Sequence, residues 1–142
     1  MINEARLLGH VGQEPETKET AGGVKFARFS LATSERWKDR ETNERRERTQ
    51  WHQIVVFNEN LVGVVEQYVK KGSKLYIEGQ IMSRSWEDEA GQKRYATDIV
   101  LKGFRGRIVL LDRREGKPDP DPEAYGQGDS WETDQYAYGG AA

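Results

Sequence analysis

Only one stretch of this chain spaces its apolar residues as a helix does, which limits what the remainder can build. Leu61, Val64, Val65, Tyr68 and Val69 recur at helical intervals along one face. Asn58 or Asn60 can cap its start, Lys70 and Lys71 suit its C-terminal dipole, and Gly72 suits a left-handed stop. The other apolar segments are short and β-like. Residues 5–11 form one such run, ended by Gly12 and Pro15. After a Gly22-Gly23 turn, residues 24–33 alternate, with Ala27, Phe29 and Leu31 on one face and Lys25 out of register. Strands are expected again at 51–57, 74–82 and 95–101, the last two parted by a turn around Gly91. Residues 107–111 are expected to close the sheet. Residues 35–50 are almost wholly charged or polar and read as a loop, too long for a tight hairpin turn.

Five strands with one helix between the third and fourth is the order of an OB-fold, a five-stranded Greek-key barrel. The expected class is therefore all-β with one helix. A chain of 142 residues has room for one such domain, placed at residues 1–112, plus an appendage. From Arg113 the character changes. Pro118, Pro120 and Pro122 alternate with acids, and Gly, Asp, Gln and Tyr dominate the residues beyond them. Residues 113–142 are expected to form a disordered acidic tail.

Charge divides the chain at about the same place. Residues 1–117 hold all 22 Lys and Arg against 18 acids, a net of +4, whereas residues 118–142 hold 6 acids and no base. A mildly basic body suits nucleic acid, although an acidic tail also serves solubility. With no cysteine, neither a disulfide framework nor a thiolate metal site can form, and a reducing cytosol is the natural setting. No apolar run reaches membrane-spanning length, and Met1-Ile2-Asn3-Glu4 has no signal or transit pattern. A soluble protein of the cytoplasm is expected, without membrane contact.

Four aromatics stand where a core would not place them. Trp37 lies within Glu35-Arg36-Trp37-Lys38-Asp39-Arg40, and Trp86 within Arg84-Ser85-Trp86-Glu87-Asp88-Glu89. A flat ring beside guanidinium and ammonium groups can stack a nucleobase while its phosphate is held. Strand alternation puts Trp51, Gln53, Val55 and Phe57 on one face and His52, Ile54 and Val56 on the other. Ile54 and Val56 suit the core, so Trp51 and Phe57 point outward, about 20 Å apart at roughly 3.3 Å per residue. Such a span could hold several nucleotides of a single strand, or be covered by a protein partner. Arg36, Lys38 and Arg40 in the charged segment, Arg84 and Arg94 around Trp86, and Lys71 after the helix are the candidate phosphate contacts.

Nothing here reads as an enzyme. His10 and His52 are the only histidines and have no second ligand at metal spacing. No nucleophile–base pair, P-loop or dinucleotide fingerprint is visible, so neither cofactor nor metal is expected. Gly9-His10-Val11-Gly12 matches the bare GXXG of a KH loop but lacks the flanking helices.

Several of these stretches, taken together and in order, resemble the bacterial and mitochondrial single-stranded DNA-binding protein family over residues 5–111. They are Leu8-Gly9-His10-Val11-Gly12-Gln13-Glu14-Pro15, Leu31-Ala32-Thr33-Ser34-Glu35-Arg36-Trp37, Trp51-His52-Gln53-Ile54-Val55-Val56-Phe57, and Tyr68 through Gly79. The resemblance implies an OB-fold, a homotetramer wrapped by DNA, and Trp37, Trp51, Phe57 and Trp86 as stacking residues. It also implies His52 at a subunit interface and a role in replication, recombination and repair. The setting it implies is a bacterial cytosol or nucleoid, or a host cytosol for a phage-encoded copy. Three positions depart from the pattern. Glu59 stands where the family often has a lysine, and Ser85 where a basic residue often precedes the last stacking tryptophan. Tyr136-Ala137-Tyr138-Gly139-Gly140-Ala141-Ala142 replaces the acidic, Phe-terminated tip that docks replication and repair enzymes, so recruitment through that tip is not expected.

Overall fold

The computed structural model describes residues 1–112, and the expected disorder of residues 113–142 lies outside the described residues. Among the described residues seven strands form, with one α-helix and a short 3-10 turn at Gly103–Arg105: β1 Ala5–Val11, β2 Glu16–Glu19, β3 Lys25–Lys38, β4 Arg45–Val56, α1 Glu59–Tyr68, β5 Lys74–Glu87, β6 Lys93–Leu101 and β7 Arg107–Leu110. The sheet runs β1-β3-β4-β6-β5, and β1 pairs back onto β5 from Ala5↔Gly79 to His10↔Lys74, closing a five-stranded barrel. All pairings are antiparallel except β4–β6, which is parallel from Gln53↔Asp98 to Val56↔Leu101. This closed Greek-key arrangement with one helix between β4 and β5 is an OB-fold.

Alternation along the strands builds the core. Ala27, Phe29, Leu31, Ile54, Val56, Leu75, Ile77, Ile99 and Leu101 all point inward and are buried. Helix α1 covers this core with Val62 and Val65, and Val69 follows at its C-cap. The buried helical stripe is thus shifted from the expected one: Tyr68 is exposed, and Val62 takes a core place. Asn58 is the cap, its side chain accepting from the Asn60 and Leu61 N–H groups at 2.9 and 3.3 Å. The helix stops before Lys70 and Lys71, which therefore lie outside its last turn. Gly72 does adopt positive φ, in the turn that leads into β5.

Closure differs from expectation. The seal comes from β1 on β5, while β7 adds to β5 through Leu75↔Leu110 to Glu78↔Arg107. Residues 35–50 are also mostly strand rather than loop. The β3–β4 ladder continues without a break to Lys38↔Arg45, and only residues 39–44 turn. The four-residue strand β2, wholly exposed and paired to β3, was not expected from the sequence.

Candidate nucleic-acid interface

The ladders decide which side chains share a face. On β4, the residues whose neighbours Ile54 and Val56 fill the core are Trp51, Gln53 and Val55, which face outward. Across the parallel β4–β6 pairing, Gln53 matches Asp98 and Val55 matches Val100. Across β5–β6, Met82 matches Asp98, Arg84 matches Ala96 and Trp86 matches Arg94. The outer face that β4, β6 and β5 share at Val55, Val100, Gln53, Asp98 and Met82 is thus flanked along β4 by Trp51 and, along the β5–β6 ladder beyond the β4–β6 pairing, by Arg84, Trp86 and Arg94. Phe57 continues the outward row just past β4, held by its N–H donating to the Leu101 carbonyl at 2.8 Å. The rings are open to solvent, Trp51 at 63% and Trp86 at 44% of full exposure.

Beside Phe57 lies a groove of about 330 Å³, bordered by Phe26, Arg28, Phe57, Met82, Arg84 and Asp98. Phe26 packs tilted against Phe57 with ring centroids 5.4 Å apart, fixing the orientation of Phe57. Sequence reasoning missed Phe26, Arg28, Met82 and Asp98. Phe26 and Arg28 were legible, since they alternate with the inward Ala27 and Phe29.

Trp51 has a seat of its own. A side chain at Gly12 would lie 2.3 Å from the Trp51 ring, so the indole rests in space that only glycine leaves open. Gly9 is equally constrained, because a Cβ there would meet the Ala32 carbonyl oxygen at 2.0 Å. The Gly9–Gly12 spacing thus serves strand crossing and ring seating, not a KH loop. Lys71 belongs near this end: the Gly72 N–H donates to the Val11 carbonyl at 2.8 Å, and the Lys71 N–H to Glu14 Oε1 at 3.1 Å.

Trp37 does not join the row. It stands opposite Arg46 on the reverse face of the β3–β4 arm, with the Arg48 guanidinium 5.7 Å from its ring centroid. Arg36 and Lys38 share the face of Trp51, and Arg40 sits in the turn at the arm's tip. The basic residues differ in freedom. Arg36 pairs with Glu47 at 3.4 Å, Arg84 with Asp98 at 2.7 Å and Arg94 with Asp88 at 2.9 Å. Lys38, Arg40 and Lys71 have no ion-pair partner among the described residues. The Gln92 N–H and then Arg94 hold the Asp88 carboxyl below its ordinary range, fastening the β5–β6 turn. His52 is half-buried on the inward side, 2.8 Å from Thr33 Oγ1.

The chain that carries this surface is similar to known proteins. Residues 2–106 match the single-strand binding protein family. The chain is 53% identical over 116 residues to a single-stranded DNA-binding protein of Rhizobium meliloti, covering 82% of this chain and 67% of that one. It is 52% identical over 113 residues to one from Rickettsia felis, covering 80% and 74%. Among solved structures it is similar to a Plasmodium falciparum SSB complex with ssDNA, at a TM-score of 0.71 and 41% identity, covering 79% of this chain and 96% of that one. The chain belongs to the single-strand binding protein family.

Proposed function

We propose that this chain binds single-stranded DNA without catalysis and with little sequence preference, protecting it during replication, recombination and repair. Bases stack on Trp51, Phe57 and Trp86 along the outer face, and on Trp37 of the arm. Arg36, Lys38, Arg40, Lys71 and Arg94 meet phosphates. The observation that carries this reading is that the exposed rings Trp51, Phe57 and Trp86 all stand on the outward side of β4, its continuation and β5, with Arg84 and Arg94 beside Trp86. Base–aromatic stacking in single-strand binders of this kind supplies about 1–3 kcal/mol per base, and the phosphate contacts supply the salt-sensitive remainder.

Substitution separates the two contact types. Trp51→Ala or Trp86→Ala is expected to weaken oligo-dT binding at every salt concentration, with the slope of log affinity against log salt nearly unchanged. Lys38→Ala or Lys71→Ala is expected to flatten that slope by about one charge. Four variants with the same salt behaviour would refute the division into platform and clamp.

The working form we propose is a homotetramer in the cytosol, with His52 near a subunit boundary. Several binding faces on one particle would give a long strand a high effective concentration. Light scattering at micromolar concentration is expected to give four chain masses, and a monomer there would remove the wrapping model.

A further inference from the structure

We propose that Asp98 is a positioning residue that holds the Arg84 guanidinium over Trp86 as a second stacking tier, so that Arg84 meets bases rather than phosphates. The proposal rests on the single-stranded DNA reading and adds a specific role to two residues of the same face. Arg84 Nε donates to Asp98 Oδ2 at 2.7 Å, and the guanidinium carbon lies 4.8 Å from the Trp86 ring centroid. The Asp98 side chain is only 9% exposed, and its Oδ1 is buried with no hydrogen-bond partner among the described residues. Arg84 is therefore the carboxylate's one compensating group in the described structure. Swinging it out to a phosphate would strand a buried negative charge, which is strongly unfavourable.

The pairing also offsets the arginine's charge, so it contributes little to counterion release when DNA binds. What Arg84 still offers the groove is its plane: its side chain is 48% exposed there, and a guanidinium stacks on a base as an aromatic ring does. Asp98 thus fixes where that plane lies. Removing a carboxylate from a DNA-binding face would ordinarily be expected to help binding, and here the opposite should hold once the freed charge is screened.

The test is oligo-dT binding by the full chain across a range of salt, with thermal unfolding followed for each variant. Arg84→Lys keeps the charge and can still pair with Asp98 but has no plane. It is expected to weaken binding about tenfold, the loss of one stacking contact, with an unchanged salt slope and unfolding temperature. Asp98→Ala is expected to steepen the slope by about one charge as Arg84 is released, and to bind more weakly than the unaltered chain at high salt. Should Asp98→Ala fail to fold, Arg84→Lys, which alters a half-exposed side chain, decides alone. Arg84→Lys binding like the unaltered chain, or Asp98→Ala leaving the slope unchanged, overturns the proposal while the DNA reading stands. No binding by the unaltered chain overturns both.

Discussion

Gly12 has no side chain, and the Trp51 ring takes the space that one would fill. A methyl group there would press on the far end of the indole and on Ser30 Oγ at 2.9 Å, not on backbone. The ring can therefore tilt away at little cost to the fold, but it leaves the outward row. Gly12→Ala is expected to keep the unfolding temperature within a few degrees and to weaken oligo-dT binding by about 1–3 kcal/mol, the worth of one stacked base. Normal affinity with a shifted tryptophan emission would show that the seat does not matter for binding. At this scale the sequence was informative about ring types and cations but silent on partners. Arg84 and Asp98 are fourteen residues apart, and only the β5–β6 register makes them neighbours.

At the scale of elements, the β5–β6 turn is fastened by Asp88, which accepts from the Gln92 N–H at 2.8 Å and from Arg94 at 2.9 Å. These bonds favour the charged carboxylate and lower its pKa, the backbone bond first. A depressed carboxylate contributes order that is present above its unfolded pKa and lost as pH falls through the folded one. Protection of the Gln92 amide, its exchange rate compared with the intrinsic rate at the same pH, is thus expected to be high near neutral pH and to fall below the ordinary carboxylate range. Asp88→Asn should be less protected there at neutral pH and lose less protection on acidification. A turn equally protected at both extremes of pH would mean that Asp88 does not fasten it.

Elements inside the barrel were legible because one buried face imposes a period. Ala27, Phe29 and Leu31, or Ile54 and Val56, announce a strand and its inward side. The arm was not legible for the same physical reason. Residues 34–38 and 40–51 are exposed, so neither face of β3 or β4 there selects apolar residues, and the charges mimic a loop. The same holds for β2 and for the ends of β5 and β6. Hydrogen bonding across an unbroken ladder, which leaves no trace in composition, extends those strands past the core.

At the scale of the whole molecule, the long arm and the β5–β6 hairpin carry Trp37 and Trp86 away from the barrel, while Trp51 and Phe57 stay on its wall. The fold therefore presents rings on a rigid wall and on two projecting ladders, and a flexible single strand can follow both. The most direct measurement is tryptophan emission of the full chain during titration with oligo-dT at rising salt. Rings stacked by bases should be quenched at low salt, and affinity should fall linearly in log–log form as salt increases. Emission that stays unchanged at low salt, with the chain folded, would contradict a nucleic-acid face on this barrel.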